Sequence, residues 1–318
     1  MAVKYYVILN DHAGAGRAKA VWPAIEEQLN QRNVTFELGR SQYAGHSILL
    51  AHQFAKNHAS DPANWVVLAV GGDGTLHQVL NGLNDAHLTT PIPVAYLPVG
   101  SGNDFARGLK MANSWRPALN QILDCTAANW LTIGQYRDTI KQSSSVFTNN
   151  VGIGLDAAIV AAANSSRLKV FLNRIHMGKL AYLFSFINVV YNQQGFPLTV
   201  HVNGHRDIYS KAFLVTVSNH PYFGGGINIL PPASVSDANL DLIVVEKPNL
   251  FKMIGIALMI VLGRHLKMKS VHHYHAAKIH LIAPSIEYGQ IDGEELGGKY
   301  WDAYFEITQY PFWIDPTI

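Results

Sequence analysis

The chain of 318 residues is 48% hydrophobic and only 14% charged, with a formal net charge of +2. That balance describes a folded globular protein of about two domains and excludes the disordered and fibrous classes. It leaves no basic field or Lys/Arg stripe for nucleic acid, and the single Cys125 excludes an intrachain disulfide framework.

The first residues turn polar at Asn10-Asp11-His12 without a secretory hydrophobic core, so a cytoplasmic protein is expected. Up to about residue 110, strand-like runs over 5–10, 35–38, 65–70 and 94–97 alternate with helix-compatible segments over 18–30, 46–58, 76–83 and 104–109. The alternation predicts a parallel sheet covered by helices, with ligands beyond the carboxyl ends of the strands. Past about residue 128 come β-rich segments over 130–135, 145–152, 198–202, 212–218, 240–245, 278–283, 287–291 and 304–308. They predict a largely antiparallel second domain. Two apolar helices, over 179–191 and 250–262, interrupt it. The uncharged stretch 253–263 has about half of the roughly 20 residues that a bilayer span needs.

Three strands of the first domain end in polar, glycine-rich turns that the fold brings to one edge: 10–16, 71–75 and 98–104. In Gly71-Gly72-Asp73-Gly74-Thr75 the missing Cβ atoms let the backbone approach a polyphosphate, and the amides of the following helix point at the anion. Asp73 either faces a divalent cation that lies between it and the phosphates, or caps the helix. Ser101 and Asp104 stand three residues apart at a helix entrance, where they share a hydrated metal ion or serve as a cap. Gly14, Gly16 and Arg17 form a weaker cradle that lacks a P-loop ending.

Downstream, Asp292-Gly293-Glu294 reads either as a hairpin turn or as a pair of carboxylates. In the second reading Glu294 takes a proton from an attacking hydroxyl and Asp292 orients or tunes it. His272, His273, His275 and His280 bunch together with no acidic partner evident, so strand filling is expected there rather than a metal site. Lys247, Lys252, Arg264, Lys267 and Lys269 flank the helix over 250–262, which is either a buried core helix or an element for an anionic bilayer surface.

Taken together, these segments closely resemble the soluble bacterial diacylglycerol kinase and lipid kinase family, related to sphingosine and ceramide kinases. The resemblance spans nearly the whole chain. It is carried by 10–17, Ser41-x-x-x-Gly45-His46, 71–82 and Leu97 to Arg107, then by Gly224-Gly225-Gly226 through Pro231-Pro232-Ala233, by 237–241 and by Asp292-Gly293-Glu294. Ser41 and Ser101 stand where the family has threonines and keep the hydroxyl, and Ala238 follows Asp237 where glycine is usual.

The resemblance implies an α/β plus β protein of the NAD-kinase/diacylglycerol-kinase-like type. A Rossmann-like nucleotide domain over 1–128 would be rejoined by the tail 305–318, with a β-sandwich lipid domain over 129–304 and ATP in the cleft. Asn10, Asp11, His12, Ala13, Gly14, Ser41, Gly71, Gly72, Asp73, Gly74, Thr75, Leu76, His77 and Ser101 would contact ATP. Asp73, Ser101 and Asp104 would hold a hydrated Mg²⁺, and a second, structural Mg²⁺ would sit at Asp237 with carbonyls near Ser234 and Asn239. Glu294 would be the base, assisted by Asp292. The implied activity is ATP-dependent phosphorylation of a lipid hydroxyl, most readily diacylglycerol to phosphatidic acid, by a cytoplasmic protein peripheral at the inner membrane surface. Nucleic acid is not an expected partner, and a homodimer is compatible with the chain. Two alternatives remain at this point: an NAD-kinase-type nucleotide kinase, which also carries Gly-Gly-Asp-Gly-Thr, and a catalytically silent nucleotide- or lipid-binding protein of the membrane surface.

Overall fold

The computed structural model describes residues 3–112, 114–155 and 193–315, and the helix expected over 179–191 lies outside them. The chain divides into two units. One comprises Met1–Ile133, Tyr222–Gly226 and Thr308–Ile318, the other Gly134–Pro221 and Ile227–Ile307.

The first unit is built on four parallel strands in the order β2-β1-β3-β4, namely β1 (Lys4–Asn10), β2 (Phe36–Ser41), β3 (Trp65–Gly71) and β4 (Val94–Pro98). Beside β4 lies the end of β15 (Glu294–Phe312), parallel, with Phe312 opposite Val94. Every residue of β3 is buried, as its unbroken apolar run requires of a strand covered on both faces. Alternate residues Tyr5, Val7, Leu9, Val66, Leu68 and Val70 share a core with Trp22, Ile25 and Leu29 of α1 (Arg17–Gln31). Tyr6, pointing the other way, stacks on Phe54 of α2 (His46–Asn57).

Three features of this unit depart from the sequence expectation. Helix α3 (Asp73–Asp85) begins at Asp73 instead of residue 76, so the acidic residue sits inside its first turn. Strand β2 runs on to Ser41, which stands opposite Asn10. After the short α4 (Asp104–Gly108) an unanticipated helix, α5 (Trp115–Asp124), buries Ala118, Leu119 and Ile122. Within this unit the residues after β15 are tied down by Trp313, whose indole N–H donates to the Ile122 carbonyl at 3.1 Å and whose amide donates to Val94 at 2.8 Å.

In the second unit the strands are antiparallel. It contains the end of β5 (Asn129–Asp138), β6 (Ser143–Phe147), β7 (Asn150–Gly154), β8 (Phe196–Val202) and β9 (His205–Ser218). Two short strands follow, β10 (Tyr222–Phe223) in the first unit and β11 (Ile227–Asn228) in the second. Then come β12 (Leu240–Glu246), β13 (Val271–Ala276), β14 (Lys278–Ile291) and most of β15. Strand β14 pairs with β8 through 279–282 and with β7 through 289–291, while β9 pairs with the same two strands. Two long strands thus pass from one layer to the other, the behaviour of a sandwich. The register of β14 shifts between Ala283 and Glu287, where Pro284 has no N–H to give the ladder.

The segment expected as one strand over 145–152 is two, β6 and β7, parted at Thr148-Asn149. Inside this unit Lys299 pairs with the buried Asp138, whose other contacts are the Tyr136 hydroxyl and the amides of Ile140 and Lys141. Burial works to raise the Asp138 pKa, but the bonds from Lys299, the Lys141 amide and Tyr136 outweigh it and hold it below the usual carboxylate value. Burial lowers the Lys299 pKa despite its partner. Between β12 and β13 stands α6 (Leu250–Val261), capped by Asn249, whose side chain accepts the Lys252 amide at 2.9 Å.

Candidate functional site

Strands β3 and β4 end side by side, with Gly71 opposite Pro98 and the Gly71 carbonyl accepting the Val99 amide at 2.8 Å. The turns that follow touch through their glycines. A Cβ on Gly72 would lie 3.2 Å from the Gly100 α-carbon, and one on Gly100 would run into the Gly72 backbone. Glycine is required for this approach at position 100, and a side chain at 72 would force the loops apart by a few tenths of an ångström.

Asp73 and Asp104 meet here. The Asp73 carboxylate accepts the backbone amides of Asp104 and Phe105, each at 3.1 Å, and so caps α4 from a neighbouring turn. The buried Asp104 carboxylate accepts the Gly225 amide at 2.7 Å and the Arg107 guanidinium. Gly102 lies between them: a Cβ there would be 3.3 Å from one Asp73 oxygen and 3.8 Å from one Asp104 oxygen. Tyr96 lies beneath, donating to Asn103 at 3.2 Å. Burial first, then the charges of Asp73 and Asp104, push its pKa well above the ordinary phenol value.

The first turn joins this group through Asn10, whose amide donates to the Thr75 hydroxyl at 3.1 Å and whose carbonyl accepts the His12 amide at 3.1 Å. Gly14 sits at φ +61, and a Cβ on it would strike the Val99 carbonyl. Ser41, at the level of Asn10, donates to the Tyr43 carbonyl at 3.4 Å, while Asp11 pairs with Arg40 at 2.9 Å. Arg17 differs from its expected part as a phosphate cation. Its guanidinium donates to the Val99 and Gly100 carbonyls, bracing the loop between β4 and α4. Leu76 and His77 are buried and Ala13 packs against the core, with the Ala13 and Leu76 amides donating to the Asn10 and Gly72 carbonyls, while Gly74 is half-buried and Ser101 exposed on their loops. Arg107 and the Gly224–Gly226 backbone belong to the site as much as the acidic residues do. The Asp-Phe-Ala-Arg spacing, i to i+3 on a helix, was the available signal for the arginine.

In the second unit Asp292 and Gly293 form a two-residue hairpin turn between β14 and β15, with φ of +48 and +86 and Ile291 paired to Glu294. The turn is the hairpin that Asp-Gly offered, and its aspartate is turned inward. Asp292 is buried, and its carboxylate accepts the amides of Thr148 (2.8 Å), Asn149 (2.8 Å) and Asn150 (3.0 Å) together with the Thr148 hydroxyl (3.3 Å). Gln290 bridges Asn150 and the Gly293 amide, at 2.6 and 2.9 Å, and buried His220 meets the Asn149 side chain at 2.6 Å. Glu294 opens β15, half-buried, one step beyond this knot. Thr148, Asn149 and His220 were missed from sequence, although a Thr-Asn-Asn run between apolar strands is a polar interruption that must be satisfied inside.

Asp237, Ser234 and Asn239 do come together in a turn: the Asp237 amide donates to the Ser234 carbonyl at 3.0 Å and Asn239 donates to the Asp237 carboxylate at 3.3 Å. His275 meets the other Asp237 oxygen at 3.3 Å. A single carboxylate with a nitrogen group on each oxygen, beside a Ser234 carbonyl that already accepts the Asp237 amide, suits a hard cation such as Mg²⁺ poorly. The histidines correct the sequence reading, which found them no acidic partner. Strand β12 supplies Asp241 and Glu246, and β15 supplies Asp302. Buried Asp241 meets His273 at 2.6 Å and His275 at 3.2 Å, Glu246 meets His272 at 2.9 Å, and Asp302 meets His280 at 2.7 Å.

Comparison with known proteins agrees with both units. A diacylglycerol kinase catalytic domain family matches residues 4–130, and a YegS C-terminal NAD kinase beta sandwich-like domain family matches residues 149–303. The "Putative lipid kinase YtlR" of Bacillus subtilis (strain 168) is 26% identical over 301 residues, covering 92% of this chain and 94% of that protein. A diacylglycerol kinase of the same organism is 27% identical over 248 residues, 76% of each chain. The crystal structure of a diacylglycerol kinase from Bacillus anthracis str. Sterne shares the fold, with a TM-score of 0.71 at 22% identity over 99% of this chain and 98% of that one. The two family matches follow one another in order and take in both the glycine turns of the first unit and the Asp292 hairpin of the second, so this chain belongs to the bacterial diacylglycerol/lipid kinase family of enzymes.

Proposed function

We propose that this lipid kinase phosphorylates diacylglycerol, moving the γ-phosphoryl group of ATP to its hydroxyl and releasing phosphatidic acid and ADP, with Glu294 as the general base. The observation that carries the reading is the convergence of the Asp73 and Asp104 carboxylates on Gly102, beside the glycine turns that end β3 and β4. The Arg107 guanidinium beside Asp104 balances one of the two carboxylates, and the second charge favours a further cation there. The donors are oxygens, and the space a Cβ at Gly102 would fill is left open, so the pair fits Mg²⁺, with Ser101 on the same loop. A bound Mg²⁺ would supply neutralisation of the β- and γ-phosphates.

The protein's own groups do the rest. Amides of the turns at Asn10–Gly14 and Gly71–Thr75 and of the first turn of α3 receive phosphate oxygens. Ser41, on the strand beside Asn10, adds a hydroxyl to the nucleotide contacts, and Leu76 and His77 hold the first turn of α3 in place from its buried side. The Glu294 carboxylate accepts the hydroxyl proton as that oxygen bonds to the γ-phosphorus, and the bond from phosphorus to the β,γ-bridging oxygen breaks. Asp292, engaged by donors from Thr148 to Asn150, acts by position: it fixes the turn from which Glu294 projects. The choice of acceptor is supported by the diacylglycerol kinase among the relatives.

The test is transfer of labelled γ-phosphate from ATP, with Mg²⁺, to diacylglycerol, monoacylglycerol, a sphingoid base, a polyprenol and NAD, the lipids being in mixed micelles. Label in diacylglycerol, lost in Glu294→Ala while ATP still binds, is expected. Label in another lipid replaces the acceptor, and label in NAD alone overturns the reading.

A further inference from the structure

Helix α6 carries two apolar faces. Ile256 is buried and Met253 packs against Leu155 and Phe213, which seats one side of the helix on its own unit. On another side Phe251 and Val261 are each 85% exposed, Ile254 55%, Leu258 59% and, just past the helix end, Leu262 62%. These five fall at i, i+3, i+7, i+10 and i+11, one continuous stripe. A single exposed leucine needs no explanation, but a stripe of five does.

The chemistry around the stripe selects its occupant. Lys252, Arg264, Lys267 and Lys269 are exposed on or just beyond the helix, and the sequence holds no Asp or Glu between Glu246 and Glu287. A second copy of the chain laid face to face would set these cations against their own kind. A protein partner is also poorly matched, because the stripe is aliphatic apart from Phe251 and carries neither Tyr nor Trp, the aromatic anchors of protein interfaces. At 12 residues the helix is too short to cross a bilayer and is suited to lie along one.

We infer that α6 is a docking element for an anionic lipid surface, inserting Phe251, Ile254, Leu258, Val261 and Leu262 among the acyl chains while Lys252, Arg264, Lys267 and Lys269 meet the headgroups. The inference deepens the lipid-kinase reading, on which it rests for its purpose, by bringing the enzyme to the surface where its acceptor resides.

Flotation of the full-length protein with phosphatidylcholine vesicles, with and without phosphatidylglycerol, tests it. The wild type is expected to float with the anionic vesicles. Binding should fall about tenfold or more in Phe251→Ser/Leu258→Ser and in Lys267→Glu/Lys269→Glu, with thermal melting unchanged. Phosphorylation of a short-chain diacylglycerol dissolved as monomers by the same variants should stay within about twofold of wild type, since this acceptor needs no surface docking and none of these residues is in the site. As an independent readout, Val261→Trp should shift its emission to the blue on binding. Flotation equal in wild type and variants, or flotation with no change in the Val261→Trp emission, overturns the inference. So does a dimer in solution that these substitutions dissociate without any vesicle binding. If α6-dependent flotation is found but no lipid is phosphorylated, the docking surface stands and the diacylglycerol reading falls; phosphorylation without flotation does the reverse.

Discussion

Asp104 of the first unit and Asp292 of the second are both buried aspartates that accept backbone amides, yet their surroundings differ in kind. Asp292 is an anion surrounded by donors: three consecutive amides and a hydroxyl from Thr148–Asn150. Asp104 has the Gly225 amide and the Arg107 guanidinium as donors but shares its neighbourhood with another carboxylate, Asp73, beside Gly102. A saturated carboxylate stabilises a turn, because the amides it satisfies would otherwise be buried unpaired. A juxtaposed pair carries repulsion that the Arg107 guanidinium beside Asp104 offsets only in part, and a bound cation would relieve the rest.

Substitutions can break this contrast. The largest effect is expected for Glu294→Ala, beside the saturated aspartate: kcat falls about 10²–10⁴-fold if the group is the base, with melting temperature and ATP affinity retained. Asp292→Ala should act through stability instead. Buried amides lose their acceptor, each costing about 1–3 kcal/mol, and denaturant melts should show the loss with or without ligands. Gly102→Ala places a methyl 3.3 Å from Asp73, where φ is not left-handed and so adds no backbone strain. It should leave the fold intact and weaken Mg²⁺-dependent ATP binding about tenfold, or about 1.4 kcal/mol, by calorimetry.

The smallest effect concerns acid. The folded-state pKa of Asp138 lies below its unfolded value, so its contribution is fully present above the unfolded pKa of about 3.9 and is lost as pH falls through the folded value. Melting temperatures followed from pH 6 downward should therefore fall less steeply in Asp138→Asn, from a lower starting point.

Local pattern carried much of the fold. The run Val66–Val70 with its glycine turn needed only composition and order to be placed at a strand end, and Asp73 and Asp104 followed from their turns. Contacts far apart in sequence were illegible. His273 and His275 find Asp241 only because β12 and β13 pair in one register, and Asp292 finds Thr148 from 144 residues away. Strand β15, at 19 residues, was recognised only over 304–308, because Gly297, Gly298 and charged residues interrupt its early part. The exposure of α6 was equally hidden, since a helix apolar on most sides reads alike whether its outer face meets protein or lipid.

The measurement that bears most directly on the carboxylate pair is calorimetric titration of ATP, with and without Mg²⁺, into the wild type and Asp104→Asn. Asparagine keeps an acceptor for the Gly225 amide but removes the second charge. The account predicts that Mg²⁺ strengthens ATP binding to the wild type and that this strengthening falls about tenfold or more in the variant. An equal Mg²⁺ effect in both proteins would contradict it and leave Asp73 as the cap of α4 and Asp104 as the partner of Arg107 and the Gly225 amide.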